Sequence, residues 1–328
     1  AGGVGIPGGN RAPGARRLSG TANGGKPMIG IDWGTSRFRA FRLAADGAIR
    51  DHRSGARGIL AVPDGRFADS LREEIGPWLA AGERHVLMCG MVGSRQGWVE
   101  APYLPCPVGP AELAAAVIDV PFDWAEVKLV PGVDGADPDG VAEVMRGEET
   151  QLAGALAAFD RLGAGRIAAA CLPGTHSKWA RVSGGRITGF ATHMTGEVFA
   201  ALRGHTILGR TMQDGAATDL ASFDRGVARA AQAGGLLHHL FGVRAEALAG
   251  RLAPAAGASY LSGLLIGHEV KAALADVAAD AVVPVIGAPE LTALYARAIE
   301  AGGGIAERIN GEAAARGLAL IGGLIGWR

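Results

Sequence analysis

The sequence predicts an α/β protein of two domains with a cleft between them, and three observations support this prediction. Its 328 residues are enough for two hydrophobic cores. Apolar strand-like segments alternate with helical patterns, in the order β-rich, mixed, helical and then α/β. This order does not fit a barrel of eight regular βα units. One strand–turn–strand pattern also occurs twice, roughly 140 residues apart.

The first of these two patterns lies near the start of the apolar sequence. The strand Ile29–Asp32 leads into the turn Gly34-Thr35-Ser36, and the alternating segment Arg37–Leu43 follows. Such a turn can offer backbone N–H groups and hydroxyls to phosphate, and the Asp32 carboxylate beside it is a suitable metal ligand. The same residue types are also common in ordinary β-turns. The chain has no GxxxxGK[ST] motif, which excludes a P-loop.

The second pattern repeats this order. The apolar strand Arg166–Leu172 is followed by the turn Gly174-Thr175-His176-Ser177 and by a strand at Lys178–Val182. Two such hairpins facing one cleft would bind phosphate from both sides. Lys178 either neutralises phosphoryl charge or is an exposed strand lysine. His176 either contacts the ligand or orients its neighbours.

Two adjacent carboxylates begin a predicted helix over Glu148–Leu162. Carboxylates at a helix start commonly complement the helix dipole. Alternatively, one of them is the general base for a substrate hydroxyl or orients a water. Since consecutive helical residues point about 100° apart, at most one faces a cleft, and we favour Glu149 over Glu148.

A second glycine-rich loop follows the predicted strand His85–Cys89. Loops at the carboxyl ends of strands are where α/β sheets bind ligands. Gly93, Ser94, Arg95 and Gln96 are therefore candidates for substrate binding, with Arg95 able to hold a carboxylate bidentately. The alternative is an ordinary polar loop. Glu197, in Thr195-Gly196-Glu197, either belongs to an N-capping turn or contacts substrate.

Composition excludes several classes of protein. The chain has 32 basic and 32 acidic residues, which gives no sign of a nucleic-acid or membrane surface. Cys89, Cys106 and Cys171 have neither zinc spacing nor a disulfide pattern, so we expect free thiols in a reducing cytoplasm. No apolar run is long enough to span a membrane. Residues 1–27 are predicted to be a disordered leader or an expression remnant, with the first domain starting near Met28.

The remaining segments complete the predicted order of elements. They are a helix from about Phe67 to Ala81, a rigid extended loop over 101–110, a strand Lys128–Val133, a surface loop over 134–140, a strand Ile187–Thr192, helices over 195–280, a strand Val282–Ile286, an amphipathic helix to about Ala301 and a closing helix Ala313–Gly326.

Together, the motifs resemble the 2-dehydro-3-deoxygalactonokinase family, and the match runs in order from Met28 to the C-terminus. The motifs that carry it are Ile31-Asp32-Trp33-Gly34-Thr35-Ser36, Gly90-Met91-Val92-Gly93-Ser94-Arg95-Gln96-Gly97-Trp98, Ala101-Pro102-Tyr103-Leu104, Met145-Arg146-Gly147-Glu148-Glu149-Thr150-Gln151-Leu152, Pro173-Gly174-Thr175-His176-Ser177-Lys178-Trp179, Met194-Thr195-Gly196-Glu197 and Leu261-Ser262-Gly263-Leu264-Leu265-Ile266-Gly267.

That resemblance implies the actin-like ATPase fold, with two ribonuclease-H-like domains closing over a central nucleotide cleft. It places the first domain at 28–150, joined by the C-terminal helix 313–328, and the second at 151–312. It also implies ATP- and Mg²⁺-dependent phosphorylation of 2-dehydro-3-deoxy-D-galactonate at its 6-hydroxyl in galactose or galactonate breakdown. Expected partners are therefore ATP and a small sugar acid, with no nucleic acid or membrane. The oligomeric state stays open, with a homodimer as one alternative.

The resemblance also suggests roles for single residues. The hairpin at Asp32 is similar to the first phosphate motif of the superfamily, and that at Gly174 to the second. Gly287-Ala288-Pro289 is similar to the adenosine motif, although Ala288 replaces one of the usual paired glycines. The segment Arg146–Gln151 is similar to the one that supplies the base in exopolyphosphatases, which favours Glu149. A phosphohydrolase and a non-catalytic nucleotide- or sugar-binding protein on the same fold remain the alternatives.

Overall fold

The computed structural model of the chain describes residues 26–137, 139–159, 167–309 and 312–327. All of the expected leader except Lys26 and Pro27 lies outside these residues. The strands are β1 Met28–Trp33, β2 Phe38–Leu43, β3 Ile49–Gly55, β4 His85–Cys89, β5 Tyr103–Pro105, β6 Ile118–Val120, β7 Glu126–Leu129, β8 Gly132–Ala136, β9 Ala142–Met145, β10 Ala169–Leu172, β11 Ser177–Ser183, β12 Arg186–His193, β13 Val282–Ile286 and β14 Ile305–Ile309.

The helices are α1 Phe67–Ala80, α2 Pro110–Ala115, α3 Glu148–Phe159, α4 Thr195–His205, α5 Leu220–Ala231, α6 Gly235–Leu248, α7 Gly257–Ala273, α8 Pro289–Ala301 and α9 Ala313–Leu324. Short 3₁₀ turns connect several of them. The end of the predicted helix Glu148–Leu162 lies outside the described residues. Within the described residues, no helix has the length and apolar character needed to cross a membrane.

Two sheets carry the same internal order, which confirms the repeat seen in the sequence. The larger sheet runs β3-β2-β1-β4-β7-β6 and the second runs β12-β11-β10-β13-β14. In each, the first strand pairs antiparallel with the second, and the second pairs antiparallel with the third. On its other side the first strand pairs parallel with a later strand, β4 or β13, which pairs parallel with β7 or β14. The sequence pattern strand–turn–strand therefore corresponds to the opening hairpin of each sheet.

The first sheet is covered on both faces, as its almost wholly apolar strand β1 requires. Ile29, Ile31 and Trp33 point toward α1 and its neighbours. On the other face, Gly30 lies against α9, where an added Cβ would come within 3.1 Å of Leu318. The C-terminal helix thus packs on the N-terminal sheet, in keeping with the expected domain boundaries, which stay a prediction.

The segment after β4 differs from the prediction in two places. The single strand expected at Lys128–Val133 is two strands, β7 and β8, in different sheets, because Pro131 lacks the N–H that would continue the ladder. The surface loop expected over 134–140 is partly the hairpin of β8 and β9, which joins β5 in a three-stranded sheet. The extended loop over 101–110 likewise contains β5 and a cis peptide before Pro107.

Candidate active site

Asp32 stands at the end of β1, beside the end of the parallel strand β4. It is paired in register with Cys89 on one side and Arg39 on the other. Its carboxylate accepts a hydrogen bond from the Arg39 guanidinium, and the residue is only 7% exposed. The carboxyl ends of two parallel strands thus hold a single carboxylate at the position where α/β sheets bind ligands.

The turn after Asp32 is held by its own backbone and leaves its hydroxyls exposed. The N–H of Gly34 donates to the carbonyl of Arg37 at 2.9 Å, and Thr35 and Ser36 are exposed. Gly58 closes against the turn so tightly that an added Cβ would come within 2.1 Å of the Thr35 carbonyl oxygen. This close approach holds the turn on the side that faces Gly58 and leaves its opposite side accessible.

Two glycines bring the Glu148 segment against Asp32. Gly90, with a φ of +94°, passes so close that an added Cβ would lie 2.8 Å from the Trp33 carbonyl oxygen and 3.3 Å from Asp32 Oδ1. Gly147, with a φ of +107°, stacks on Gly90, and its Cβ would lie 3.1 Å from the Gly90 Cα. Both positions therefore exclude any side chain. Their packing places the start of α3 next to the end of β1.

The two carboxylates at the start of α3 have different surroundings. Glu149 has no exposed surface; its Oε2 accepts the Gly147 N–H at 2.6 Å and its Oε1 accepts the Thr150 hydroxyl at 2.9 Å. Burial, followed by the neighbouring Glu148, raises the pKa of Glu149 to about 8. Glu149, which the sequence analysis favours as the cleft-facing carboxylate, is thus the buried member of the pair in this structure, and its role stays a prediction.

Glu148 is the partly exposed member of the pair. Its Oε2 accepts the backbone N–H of Arg146 at 3.1 Å. Burial raises the pKa of Glu148, the nearby Lys178 lowers it, and Asp32 adds a further raising effect. Glu148 thus lies within electrostatic reach of both hairpins, since Asp32 belongs to the first and Lys178 to the second.

The second turn, like the first, has exposed residues at its tip. Thr175 and His176 are exposed. Helix α4 begins beside them: an added Cβ at Gly196 would lie 2.5 Å from the Gly174 carbonyl oxygen, and the Glu197 N–H donates to the Thr175 carbonyl at 3.0 Å. The Glu197 carboxylate also contacts the His176 ring. Glu197 therefore lies at the second hairpin, where it pairs with His176.

Ser177 and Lys178 are turned inward. The Ser177 hydroxyl, with no exposed surface, lies 2.8 Å from the phenol oxygen of Tyr295. Lys178 is 6% exposed and its Nζ donates to the Val144 carbonyl at 2.8 Å and to the Thr192 hydroxyl at 2.7 Å. The Ser177 hydroxyl and the Lys178 ammonium group thus make their hydrogen bonds inside the protein and not at the exposed tip of the turn at Thr175. The alternative of an exposed strand lysine is wrong, because this ammonium group is buried, whereas neutralisation of phosphoryl charge stays a prediction.

The remaining candidates divide between two loops. Arg95 and Gln96 are exposed; the Arg95 side chain is 86% exposed, with Glu100 at 3.4 Å. Gly93 is buried, and the Ser94 hydroxyl is buried without a hydrogen-bonding partner. Gly287 and Ala288 join β13 to α8, and an added Cβ on Gly287 would lie 3.6 Å from the carbonyl oxygen of Pro173, which opens the second turn.

Comparison with known proteins shows the family of the chain. The sequence profile of the family described as 2-keto-3-deoxy-galactonokinase matches residues 32–321. The chain belongs to this family. The match covers both turns, the glycine-rich loop and the Glu148 segment.

Named relatives of the 2-keto-3-deoxy-galactonokinase family match most of the chain. A Rhizobium meliloti (strain 1021) protein named probable 2-dehydro-3-deoxygalactonokinase DgoK1 is 39% identical over 279 residues, 83% of this chain and 89% of that protein. The Escherichia coli (strain K12) 2-dehydro-3-deoxygalactonokinase is 33% identical over 277 residues, 84% of this chain and 90% of that protein.

A solved structure of the same family confirms the fold. The crystal structure of a Sinorhizobium meliloti protein described by the same enzyme name superposes with a TM-score of 0.80 at 36% identity, covering 90% of this chain and 97% of that one. The predicted fold class, an actin-like ATPase fold with two ribonuclease-H-like sheets, is confirmed.

The structure also brings residues close to the candidate site that the sequence patterns did not indicate as site residues. Arg39 contacts Asp32 because it occupies the opposite register position of the hairpin, which the alternating pattern of β2 could have indicated. Arg146 is 8% exposed, and only its position in the Met145–Leu152 motif pointed to it in the sequence. Tyr295 and Glu269 approach the second hairpin from distant helices, and no local pattern indicates them.

The residues present fit a magnesium ion that is shared with phosphates. Mg²⁺ is usually bound by one or two carboxylates, with substrate phosphates and waters as its other ligands. Asp32, beside the exposed turn, supplies one such carboxylate. Within the described residues, no group of three or more His, Cys, Asp or Glu side chains could hold a metal alone. The three cysteines are free, as predicted.

Proposed function

We propose that this chain is an ATP-dependent kinase that transfers the γ-phosphoryl group to the 6-hydroxyl of 2-dehydro-3-deoxy-D-galactonate. Family membership supports the reaction class and the sugar acid. The observation that carries the mechanism is the packing of Gly147 on Gly90, which itself lies against Asp32 and so puts the partly exposed Glu148 next to the first turn. A carboxylate beside a phosphate-binding turn is suitably placed for phosphoryl transfer to a hydroxyl.

The two exposed turns would hold the phosphates of ATP. Thr35 and Ser36 offer hydroxyls and backbone N–H groups on one side, and Gly174, Thr175 and His176 on the other. The N-terminus of α4, packed on the second turn, adds the positive end of a helix dipole. Lys178 acts on this region through its charge, since its hydrogen bonds are used within the protein.

Glu148 is the candidate general base in this arrangement. It is partly exposed, and burial raises its pKa, which makes it a stronger proton acceptor than an ordinary glutamate. Glu149 instead holds the turn before α3 through Gly147 and Thr150. We therefore assign proton abstraction from the substrate hydroxyl to Glu148 and a positioning role to Glu149.

Asp32 would hold Mg²⁺ together with the phosphate oxygens of ATP. The ion would supply positive charge that neutralises the transferring phosphoryl group. The Arg39 guanidinium, which contacts the Asp32 carboxylate, would hold that carboxylate in place beside the turn. Gly287 and Ala288, adjoining the second turn, would face the adenosine, and Arg95 and Gln96 would contact the sugar acid.

Further parts of the proposal concern the whole molecule. Domain boundaries near residues 150 and 312 would put one sheet on each side of the nucleotide. Closure of the two sides would exclude water and suppress hydrolysis of ATP. The free cysteines suit a reducing compartment such as the cytoplasm. A homodimer is compatible with this arrangement.

A coupled assay of ADP release tests the proposal. The panel contains 3-deoxy-2-keto acids of galacto and gluco configuration and plain hexoses, each with ATP and Mg²⁺. We expect turnover on the keto acids, with the product carrying its phosphate on the 6-oxygen by ³¹P NMR. Activity on hexoses alone would refute the substrate assignment. Rapid ATP loss without any acceptor would favour a phosphohydrolase.

A further inference from the structure

The guanidinium of Arg146 is a buried cation whose hydrogen-bonding capacity is largely unused. The residue is 8% exposed. Its Nη2 donates to the Ala101 carbonyl at 2.8 Å, and its Cζ lies 4.3 Å from the centre of the Tyr103 ring. Nε and Nη1 are buried and have no hydrogen-bonding partner among the described residues. Within the same residues, no carboxylate oxygen lies within ion-pair distance of this guanidinium.

Such an arrangement is unfavourable unless an anion completes it. Buried charges in proteins are normally paired, and a buried donor without an acceptor loses its hydration without compensation. The contacts with Ala101 and Tyr103 satisfy one N–H and one face of the guanidinium. They leave the single Nε hydrogen and both Nη1 hydrogens without an acceptor.

A second unused donor belongs to the loop that passes this guanidinium. An added Cβ at Gly93 would lie 3.1 Å from Arg146 Nη1, so the loop backbone runs directly past the guanidinium. The next residue is Ser94, whose buried hydroxyl also has no hydrogen-bonding partner. An arginine and a hydroxyl that both donate are suited to an oxyanion such as a carboxylate.

Arg146 also belongs to the wall of the proposed active site. Its own N–H donates to the Glu148 carboxylate, and the following residue, Gly147, stacks on Gly90 beside Asp32. An anion held at Arg146 would therefore be bound near the proposed base but on the Gly93 side of it. A sugar acid has its carboxylate at one end and its primary hydroxyl at the other, so binding it here requires an anion site and a base on the same wall, as Arg146 and Glu148 are.

We propose that Arg146, assisted by the Ser94 hydroxyl, binds the carboxylate of the sugar-acid substrate. This inference rests on the proposed kinase function and assigns the buried counter-charge for the carboxylate to Arg146 instead of the exposed Arg95. Because the Gly93 backbone lies against Nη1 in this structure, the proposal requires the loop over 91–97 to move outward when the acid binds. Arg146 is then the residue that distinguishes a sugar acid from a neutral sugar.

The test compares a charged and a neutral substrate in Arg146→Lys and Arg146→Gln. The neutral substrate is the amide of the same sugar acid, and Arg50→Gln, an exposed arginine on β3, is the control. We expect Arg146→Gln to raise KM for the acid about 30-fold or more and Arg146→Lys about tenfold, with KM for ATP unchanged. On the amide, which keeps a hydrogen-bond acceptor but no charge, the rise of KM in each variant should be several-fold smaller than on the acid. Ser94→Ala should also raise KM for the acid, but to a smaller extent.

Several outcomes would overturn this assignment without affecting the kinase proposal. Equal losses on the acid and the amide would show that Arg146 is purely structural. A charge-specific loss in Arg95→Gln but not in Arg146→Lys would place the carboxylate at Arg95. If Arg146→Gln does not fold, as judged by circular dichroism, Arg146→Lys decides between these outcomes. Absence of wild-type turnover on every keto acid would instead refute the proposed function.

Discussion

The hydroxyl of Ser177 lies 2.8 Å from the phenol oxygen of Tyr295, inside the second sheet's core and not on the exposed side of its turn. Tyr295 in turn donates to Glu269 Oε2 at 2.6 Å, and the Trp179 indole donates to Glu269 Oε1 at 2.8 Å. Burial and the Glu269 charge raise the pKa of Tyr295, which therefore stays protonated. The network anchors the second hairpin to α7 and α8.

This relationship predicts different effects for two hydroxyls of one turn. Ser177→Ala should lower the free energy of unfolding by about 1 to 3 kcal/mol, because it leaves a buried hydrogen-bonding group less well satisfied. It should leave KM for ATP close to wild type. Thr175→Ala, at the exposed position, should raise KM for ATP with little effect on stability. Urea denaturation and steady-state kinetics measure the two quantities, and a large rise of KM for ATP in Ser177→Ala would contradict this prediction.

Asp32 should be essential for turnover. Asp32→Asn keeps the shape of the side chain and removes the charge, so we expect kcat to fall about 100-fold or more, since metal and charge stabilisation supply several kcal/mol. The loss should be partly offset at high Mg²⁺ concentration. Asp69→Asn, an exposed acid in α1, is the matched control and should behave as wild type. Unchanged kcat in Asp32→Asn would remove Asp32 from the site.

The two glutamates at the start of α3 should respond differently to the same substitution. Glu148→Gln should lower kcat about 10²–10⁴-fold with little change of KM, as expected for loss of a general base. Glu149→Gln should retain most of kcat, because glutamine is close in shape to the protonated carboxyl that burial favours. The pH profile of kcat adds a check. As the pH is lowered, kcat should fall with a midpoint above pH 4.5, because the pKa of Glu148 is raised. The reverse pattern of losses would assign the base to Glu149.

Glu149 should also make the protein less stable as the pH rises. Its pKa is about 8 in the folded protein and 4.5 in the unfolded reference, so the folded state binds the proton more tightly. Stability from this group is therefore present below about pH 4.5, falls by up to about 1.4 kcal/mol per pH unit, and is lost by about pH 8. Glu149→Gln should flatten the decline of Tm between pH 5 and pH 8. Parallel declines in the two proteins would contradict the raised pKa.

Local patterns predicted much of the fold and the position of the site. The apolar strand before Asp32, the small turn after it and the repeat at Gly174 depend on neighbouring residues, so they could be read along the chain. The strand expected at Lys128–Val133 was wrong because periodicity alone does not show where Pro131 interrupts a ladder. The roles of the site residues remain proposals.

The sequence by itself determined the two hairpins, the placement of Asp32 at a strand end and the family. Only the tertiary structure decided which side chains reach the cleft. Ser177 is turned inward by Tyr295, which is 118 residues away in the chain. Glu148 is partly exposed and Glu149 buried because Gly147 packs on Gly90. Arg146 is buried without an anion because β5 and the loop at Gly93 close around it. Burial and charge pairing depend on groups distant in sequence, and no local pattern contains them.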